Sequence, residues 1–471
     1  NNTAVGYQAL YANTTGAQNT AVGRLALDAN TTADGNTAIG NAALTANTTG
    51  ASNTAVGINA LDANTTAGDN TAMGSNALSD CTTGGNNTAV GSNALGDHTT
   101  TNDNTAVGYF SMRYNTTGAQ NTAIGKGSLQ SNTTASYNTA VGDQALLDNT
   151  TGAENVAVGH AALFENTTAS NNTAVGYIAM YNNTTGTQNV AVGDQALEAN
   201  TTADGNVAVG YKALEANTDQ SSNTAVGYEA LKSATAANNN TAIGRKALSL
   251  NVGADRNVAV GDYALYNLNH ATADTYNVAV GNNALYETTT GDQNVAVGYD
   301  ALKENTTGAV NNAFGAYALD ANTTGTYNCA FGTQALGANT TSSYNVGMGY
   351  GALQKNTTAS YNTAVGHMAL QDNTTGANNV AMGYKALSNN TTAAGNVAIG
   401  QDALTANTTG NNNIAIGRLA LDASTTAGRS IAIGVNALTA ANAAYNIAIG
   451  YQALLADTTG NINVALSLIH I

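Results

Sequence analysis

Asn-Thr-Thr is the most frequent chemical signature in this sequence. It occurs at Asn13, Asn30, Asn47, Asn64, Asn115, Asn132, Asn149, Asn166, Asn183, Asn200, Asn305, Asn322, Asn339, Asn356, Asn373, Asn390 and Asn407. Each occurrence is an N-x-Thr acceptor for an asparagine-linked glycan, and modification would place a row of sugars along one edge of the protein. The same residues have a second reading, because Asn tolerates left-handed backbone and hydrogen-bonds its local chain, which makes Asn-Thr-Thr-Gly turn chemistry. Cys81, His98, Ala234, Thr288, Ser424 and Asp457 stand at the equivalent place elsewhere, so the position does not demand Asn.

Aromatic residues are the second candidate. Tyr7, Tyr109, Tyr177, Tyr211, Tyr228, Tyr299, Tyr350, Tyr384 and Tyr451 alternate irregularly with Arg, Asp, His, Asn or Ser at one repeated place. Such tolerance marks an outward position, and outward aromatics stack on sugars or protein receptors. Other chemistry finds no foothold. The histidines at 98, 160, 270, 367 and 470 are too scattered to form a ligand cluster, and carboxylates sit singly. Asp-Gly turns such as Asp34-Gly35 are sparser than a calcium-binding repeat requires. Neither a nucleophile-elbow Gly-x-Ser-x-Gly nor a phosphate-binding Gly-Lys-Ser/Thr occurs. The reading predicts no enzyme, no cofactor and no metal.

The composition says what kind of scaffold holds these residues. The chain has 51 Gly, no Pro, no Trp, four Phe and only 9% charged residues. Small side chains cannot fill a thick globular core, yet 43% hydrophobic content with strict patterning is not that of a disordered chain. A thin core repeated many times satisfies both facts. The net charge of −16, with Lys and Arg scattered, argues against nucleic acid. No apolar run approaches the ~18 residues of a membrane span, so no membrane contact is expected. Cys81 and Cys329 occupy different places in distant units and are not expected to form a disulfide.

The organising fact is an internal repeat. Units open at Asn2, Asn19 and Asn36 and continue every 17 residues, with an insertion near 268–274 and one residue lost before Asn446. Numbering each unit from its opening Asn, the consensus is Asn-(Thr/Val)-Ala-(Val/Ile)-Gly-x-x-Ala-Leu-x-x-Asn-Thr-Thr-(Gly/Ala)-x-x. Position 4 is always apolar, position 5 is Gly from Gly6 to Gly450, and position 9 is Leu or Met. Only burial against an identical neighbour holds one size so consistently. A helical solenoid is rejected, because a central Gly and the Thr-Thr pair suit helices poorly and 17 residues leave no room for two of them.

A strand at positions 2–4 with Val facing inward, a second short segment around Ala-Leu, and an Asn-Thr-Thr-Gly turn fit the pattern. The expected fold is therefore all-β: a parallel β-solenoid, or β-roll, of about 27 coils with 17 residues per coil. Asn and Thr would form ladders between coils. The constant Gly implies either positive φ or close backbone approach. Alternation at position 15 (Gly16, Ala33, Gly50, Ala67) leaves open a 34-residue coil. The array is expected to be single over 1–465, and 466–471 resembles a translated sequencing adapter, so it is expected to be a non-native tail.

Asn2 to Leu10, Asn-Thr-Ala-Val-Gly-x-x-Ala-Leu, resembles the Ser-Val-Ala-Ile-Gly-x-x-Ala repeat of YadA-like trimeric autotransporter adhesin heads. It is also similar to Asn-Thr-Ala-Val-Gly arrays of phage-type tail fibres. The resemblance covers the chain up to Asn463, although adhesin coils run nearer fourteen residues. It implies a left-handed β-roll, several copies of the chain side by side as a homotrimer or filament, and a location at the cell or virion surface. Two functions follow as expectations. One is a structural fibre segment of an adhesin or tail fibre, with a host-surface glycan or protein as a further partner. The other is a self-standing filament or sheath, glycan-coated at its Asn-Thr-Thr turns.

Overall fold

The computed structural model describes residues 1–270, 273–440 and 442–467. Positions 271 and 272 of the insertion and 468–471 of the expected tail lie outside them. The described residues are all-β and contain no helix; they form a parallel solenoid of about 27 coils, roughly 17 residues per turn. The chain has two compact units, Asn1–Thr235 and Ala236–Ile471.

Both units are built the same way. In the first, Thr20–Val22 lies parallel to Thr37–Ile39 with Ala21 opposite Ala38. In the second, Val397–Ile399 lies parallel to Ile414–Ile416 with Ala398 opposite Ala415. Each residue thus pairs with its equivalent one unit on, which makes one coil 17 residues and removes the 34-residue alternative.

Strand alternation sets what is inside. Ala21, Ala38 and Ala398 at position 3 are fully buried, so their neighbours at positions 2 and 4 must point away from the core. The expectation that position 4 lies in the core is therefore corrected. Ile39 is 41% exposed and Met73 44%. The core consists of Ala at positions 3 and 8 and Leu at position 9, as in Ala26 and Leu27, all at 0% exposure. Each buried Leu contributes about 1.5–3 kcal/mol relative to an exposed one.

Among the described residues the expected second strand around Ala-Leu is absent. Positions 7 and 9 are left-handed: Ala42 has φ 57° and Leu44 φ 56°. Left-handed backbone costs an L-residue about 1–2 kcal/mol, an amount that Leu burial offsets. The resulting tight corner still bonds between coils, since Leu44 N–H donates to the Ala60 carbonyl at 2.9 Å.

Gly at position 5 answers to both suggested causes. Gly40 has φ +142°, and a Cβ there would stand 2.2 Å from the Gly57 carbonyl oxygen of the next coil. Backbone approaches backbone too closely for any side chain.

The insertion is partly absorbed into the ladder. Leu268 is buried where other coils bury Asn, and Ala273–Asp274 pairs with Ala254–Asp255 as a small second sheet. Arg256 pairs with Asp274 and reaches the Tyr276 hydroxyl at 3.0 Å.

Candidate functional site

From the second coil onward, the Asn of each Asn-Thr-Thr turn is an interior residue. Asn47 Nδ2 donates to Asn30 Oδ1 of the preceding coil at 3.1 Å and to the Gly50 carbonyl at 2.9 Å. That same carbonyl accepts Asn36 Nδ2 at 2.9 Å, while Asn36 N–H donates to Asn19 Oδ1, also at 2.9 Å. Thr48 adds a third ladder, its hydroxyl donating to the Thr65 carbonyl at 3.0 Å. Most coils repeat these two amide ladders and one hydroxyl ladder, which pair most of the polar groups that the narrow core encloses.

In the folded chain this geometry encloses the glycan-acceptor candidates. Asn30, Asn47, Asn64, Asn115, Asn132, Asn149, Asn166, Asn183, Asn200, Asn305, Asn322, Asn339, Asn356, Asn373, Asn390 and Asn407 are 0% exposed. Asn13, in the first coil, is half-buried with Nδ2 bonded to the Gly16 carbonyl at 3.1 Å. A glycan must attach to that nitrogen, and in the fold the nitrogen is enclosed and already donating. The turn's structural reading accounts for all seventeen candidates.

The substitutions at this position show how strict the ladder is. His98 fills it as a neutral ring: Nε2 lies 2.7 Å from the Thr101 carbonyl, and Nδ1 lies 3.3 Å from Asn115 Nδ2. Burial pushes its pKa below the ordinary value. Cys81 turns its thiol to the Gly84 carbonyl at 3.3 Å, and burial raises that thiol to about 11. Both cysteines are free.

All nine tyrosines at position 6 are exposed. Several stack with the same position of the adjacent coil: Tyr211 on Tyr228 with centroids 5.2 Å apart, and Tyr350 on His367 at 5.2 Å. A neater aromatic ladder, missed in the sequence reading, runs along position 17, where Tyr327, Tyr344 and Tyr361 stack at 5.1 Å and within 3° of parallel. Its signal was Tyr at one position in three successive units. Among the described residues no three His, Cys, Asp or Glu side chains converge as a metal site, and no helix is long and apolar enough to cross a membrane.

The largest feature left is the outward strand face. Positions 2 and 4 carry no charged residue in any coil. In the first unit the pairs are mostly Thr and Val, as in Thr20 and Val22. In the second most become doubly apolar, as in Val346 and Met348, Ile414 and Ile416, and Ile431 and Ile433, while Thr241, Asn312 and Thr363 stay polar. Phe314 and Phe331 stack along this face at 4.4 Å. No protein-family model matches this chain, and no curated protein matches it.

At ~4.8 Å per coil the face of the second unit, from Thr241 to Ile449, is a strip on the order of 60 Å long and 10 Å wide. That is about 600 Å², the upper end of what a monomeric protein ordinarily leaves exposed.

Proposed function

We propose that this chain is a non-catalytic structural fibre segment that assembles with further copies of itself through the outward strand face. The observation that carries the proposal is the uncharged row at positions 2 and 4, apolar at position 4 in every coil and at both positions in most coils of the second unit, which the fold leaves partly exposed coil after coil. A partner that covers such a strip continuously must repeat its side chains at the same spacing, and another copy of this chain has that spacing. The strip approaches the ~800 Å² per partner of a standard stable interface.

We place the assembly at a cell or virion surface, as part of an adhesin or tail fibre, on the resemblance of its Asn-Thr-Ala-Val-Gly units to those arrays. Exposed position-6 tyrosines are then attachment contacts for a host-surface glycan or protein. The glycan-coated sheath is not carried forward, because its acceptor nitrogens are enclosed.

Sedimentation of the full chain at micromolar concentration tests the assembly. A dimer or larger species is expected, and Ile399→Asp, Ile416→Asp and Ile433→Asp together should return it to monomer with the β-structure spectrum unchanged. A monomeric wild-type chain at those concentrations sinks the proposal.

A further inference from the structure

Position 10 flanks the left-handed corner, and nearly every coil places a side chain there, such as Lys303, Asp320 or Gln354. Gly96 and Gly337 are the exceptions. At Gly96 the vacated space is occupied from the next coil. Arg113 lays its guanidinium across it, with Nε 2.9 Å from where a Cβ would stand. That group bonds Asp97 Oδ1 through Nε at 3.2 Å and Nη2 at 3.0 Å, and donates through Nη1 to Asn93 Oδ1. It also lies 5.7 Å from the ring centres of Phe110 and Tyr114. An acid, an amide oxygen and aromatic faces together hold one planar cation.

At Gly337 no side chain enters. The nearest atom to its Cβ position, at 3.3 Å, is Asp320 Oδ1. A notch of about 340 Å³ opens there, walled by Tyr317, Asp320, Gln334, Gln354 and Lys355. The same set of groups recurs: an acid in Asp320, an amide oxygen in Gln334 and an exposed ring in Tyr317. Gln334 Oε1 accepts Gln354 Nε2 at 2.9 Å and keeps a second lone pair. No side chain of the described residues hydrogen-bonds the Asp320 carboxylate.

The nearby cations are already engaged. Lys355 is 2.9 Å from Asp372, and Lys303 lies 4.0 Å from Asp300 and 3.7 Å from Glu304. Partial burial, with Asp300 adding to it, raises Asp320 to about 6 against the opposing pull of its own and Ala321's backbone N–H groups and of the Lys303 charge, so its carboxylate would gain from a further cation.

We propose that the Gly337 notch binds a guanidinium group supplied from outside the chain, with Asp320 and Gln334 in the roles that Asp97 and Asn93 play toward Arg113. The charge, the planar fork of donors and the ring contact select guanidinium over a neutral guest.

Titration of the full chain, followed calorimetrically at pH 7.5, tests this with three probes. They are N-acetylarginine methylamide, methylguanidinium, and the N-acetylcitrulline methylamide that keeps the shape without the charge. The arginine probe should bind with Kd on the order of 1 mM, and the citrulline probe should not bind. Methylguanidinium binding equally well assigns the site to small guanidines; weaker binding assigns it to an arginine side chain of a protein. Asp320→Asn and Gly337→Gln, the second placing the next coil's own position-10 residue in the notch, should each weaken binding at least tenfold with unchanged melting. If Gly337→Gln does not fold, Asp320→Asn decides alone. No binding by either guanidinium probe, equal binding by citrulline, or undiminished binding in the folded variants overturns the proposal.

Discussion

Asn47 Nδ2 donates to Asn30 Oδ1 across two adjacent coils at 3.1 Å, and both residues are fully buried. The ladder continues to Asn64, whose Nδ2 donates to Asn47 Oδ1 at 2.8 Å. There it stops: Asn64 Oδ1 has no partner, because the next coil supplies Cys81. Asn217 Oδ1 is orphaned in the same way by Ala234.

Restoring the missing donor should therefore stabilise the protein. Ala234→Asn gives Asn217 Oδ1 its hydrogen bond in a place shaped for Asn, and is expected to add about 1–2 kcal/mol. Urea unfolding of the first unit's signal checks this; an unchanged or lower midpoint would show that the orphan oxygen is satisfied some other way.

Removing a ladder rung has the opposite sign and a larger size. Asn47→Ala leaves Asn30 Oδ1 without its partner and opens a void, at an expected cost of about 2–4 kcal/mol. Exposed Thr49→Ala, two residues on, should change stability by less than about 0.5 kcal/mol. Comparable losses for the two would contradict the ladder's role.

Enclosure of the Asn-Thr-Thr nitrogens predicts an unmodified protein. Folded chain secreted from a host that performs asparagine-linked glycosylation should show no added hexose mass at Asn30 to Asn407. Peptide mass spectrometry that found glycans on folded material would refute the burial.

Two glycines should respond very differently to one methyl group. Gly40→Ala sets Cβ 2.2 Å from the Gly57 carbonyl with φ at +142°, and should cost upwards of about 4 kcal/mol or abolish folding. Gly205→Ala meets nothing within 4 Å and sits at φ +65°, like the Ser222 that follows one coil on, so about 1 kcal/mol is expected. Thermal melting of the two variants separates them.

His98 makes stability depend on pH. Its Nδ1 faces the Asn115 amide donor, so a proton there sets donor against donor, and the folded state keeps the ring neutral. The unfolded chain binds the proton first, below about pH 6.5. Stability from this residue is thus constant above that pH and falls as pH drops through the window below it. His98→Asn should flatten the profile between pH 7 and 5, measured as urea midpoints; an identical slope in the variant would exclude His98 as the source.

Much of this was legible beforehand for a physical reason. A neighbour identical in sequence imposes the same size on each place, so Leu27, Ala26 and the glycine column declared their burial through sheer repetition. Parity was not legible. Thr-Ala-Val reads equally well with Val or Ala inward, because a strand's period of two fixes which residues share a face and not which face is the core. The Asn positions misled for a related reason. An isolated Asn belongs at the surface, and only the next coil's Oδ1 and carbonyl make an interior place habitable for it. The Ala-Leu corner deceived through Leu44, since nothing in Leu announces left-handed backbone.

The sequence by itself determined the period, the β-solenoid class and the strictness of position 5, because these follow from local chain geometry multiplied by repetition. Tertiary structure alone decided the rest: that Ala38 faces in and Ile39 out, that Asn47 is enclosed, and that Gly96 is filled while Gly337 stays open. Each of those depends on what an adjacent coil places within a few ångströms, and no single unit contains that information.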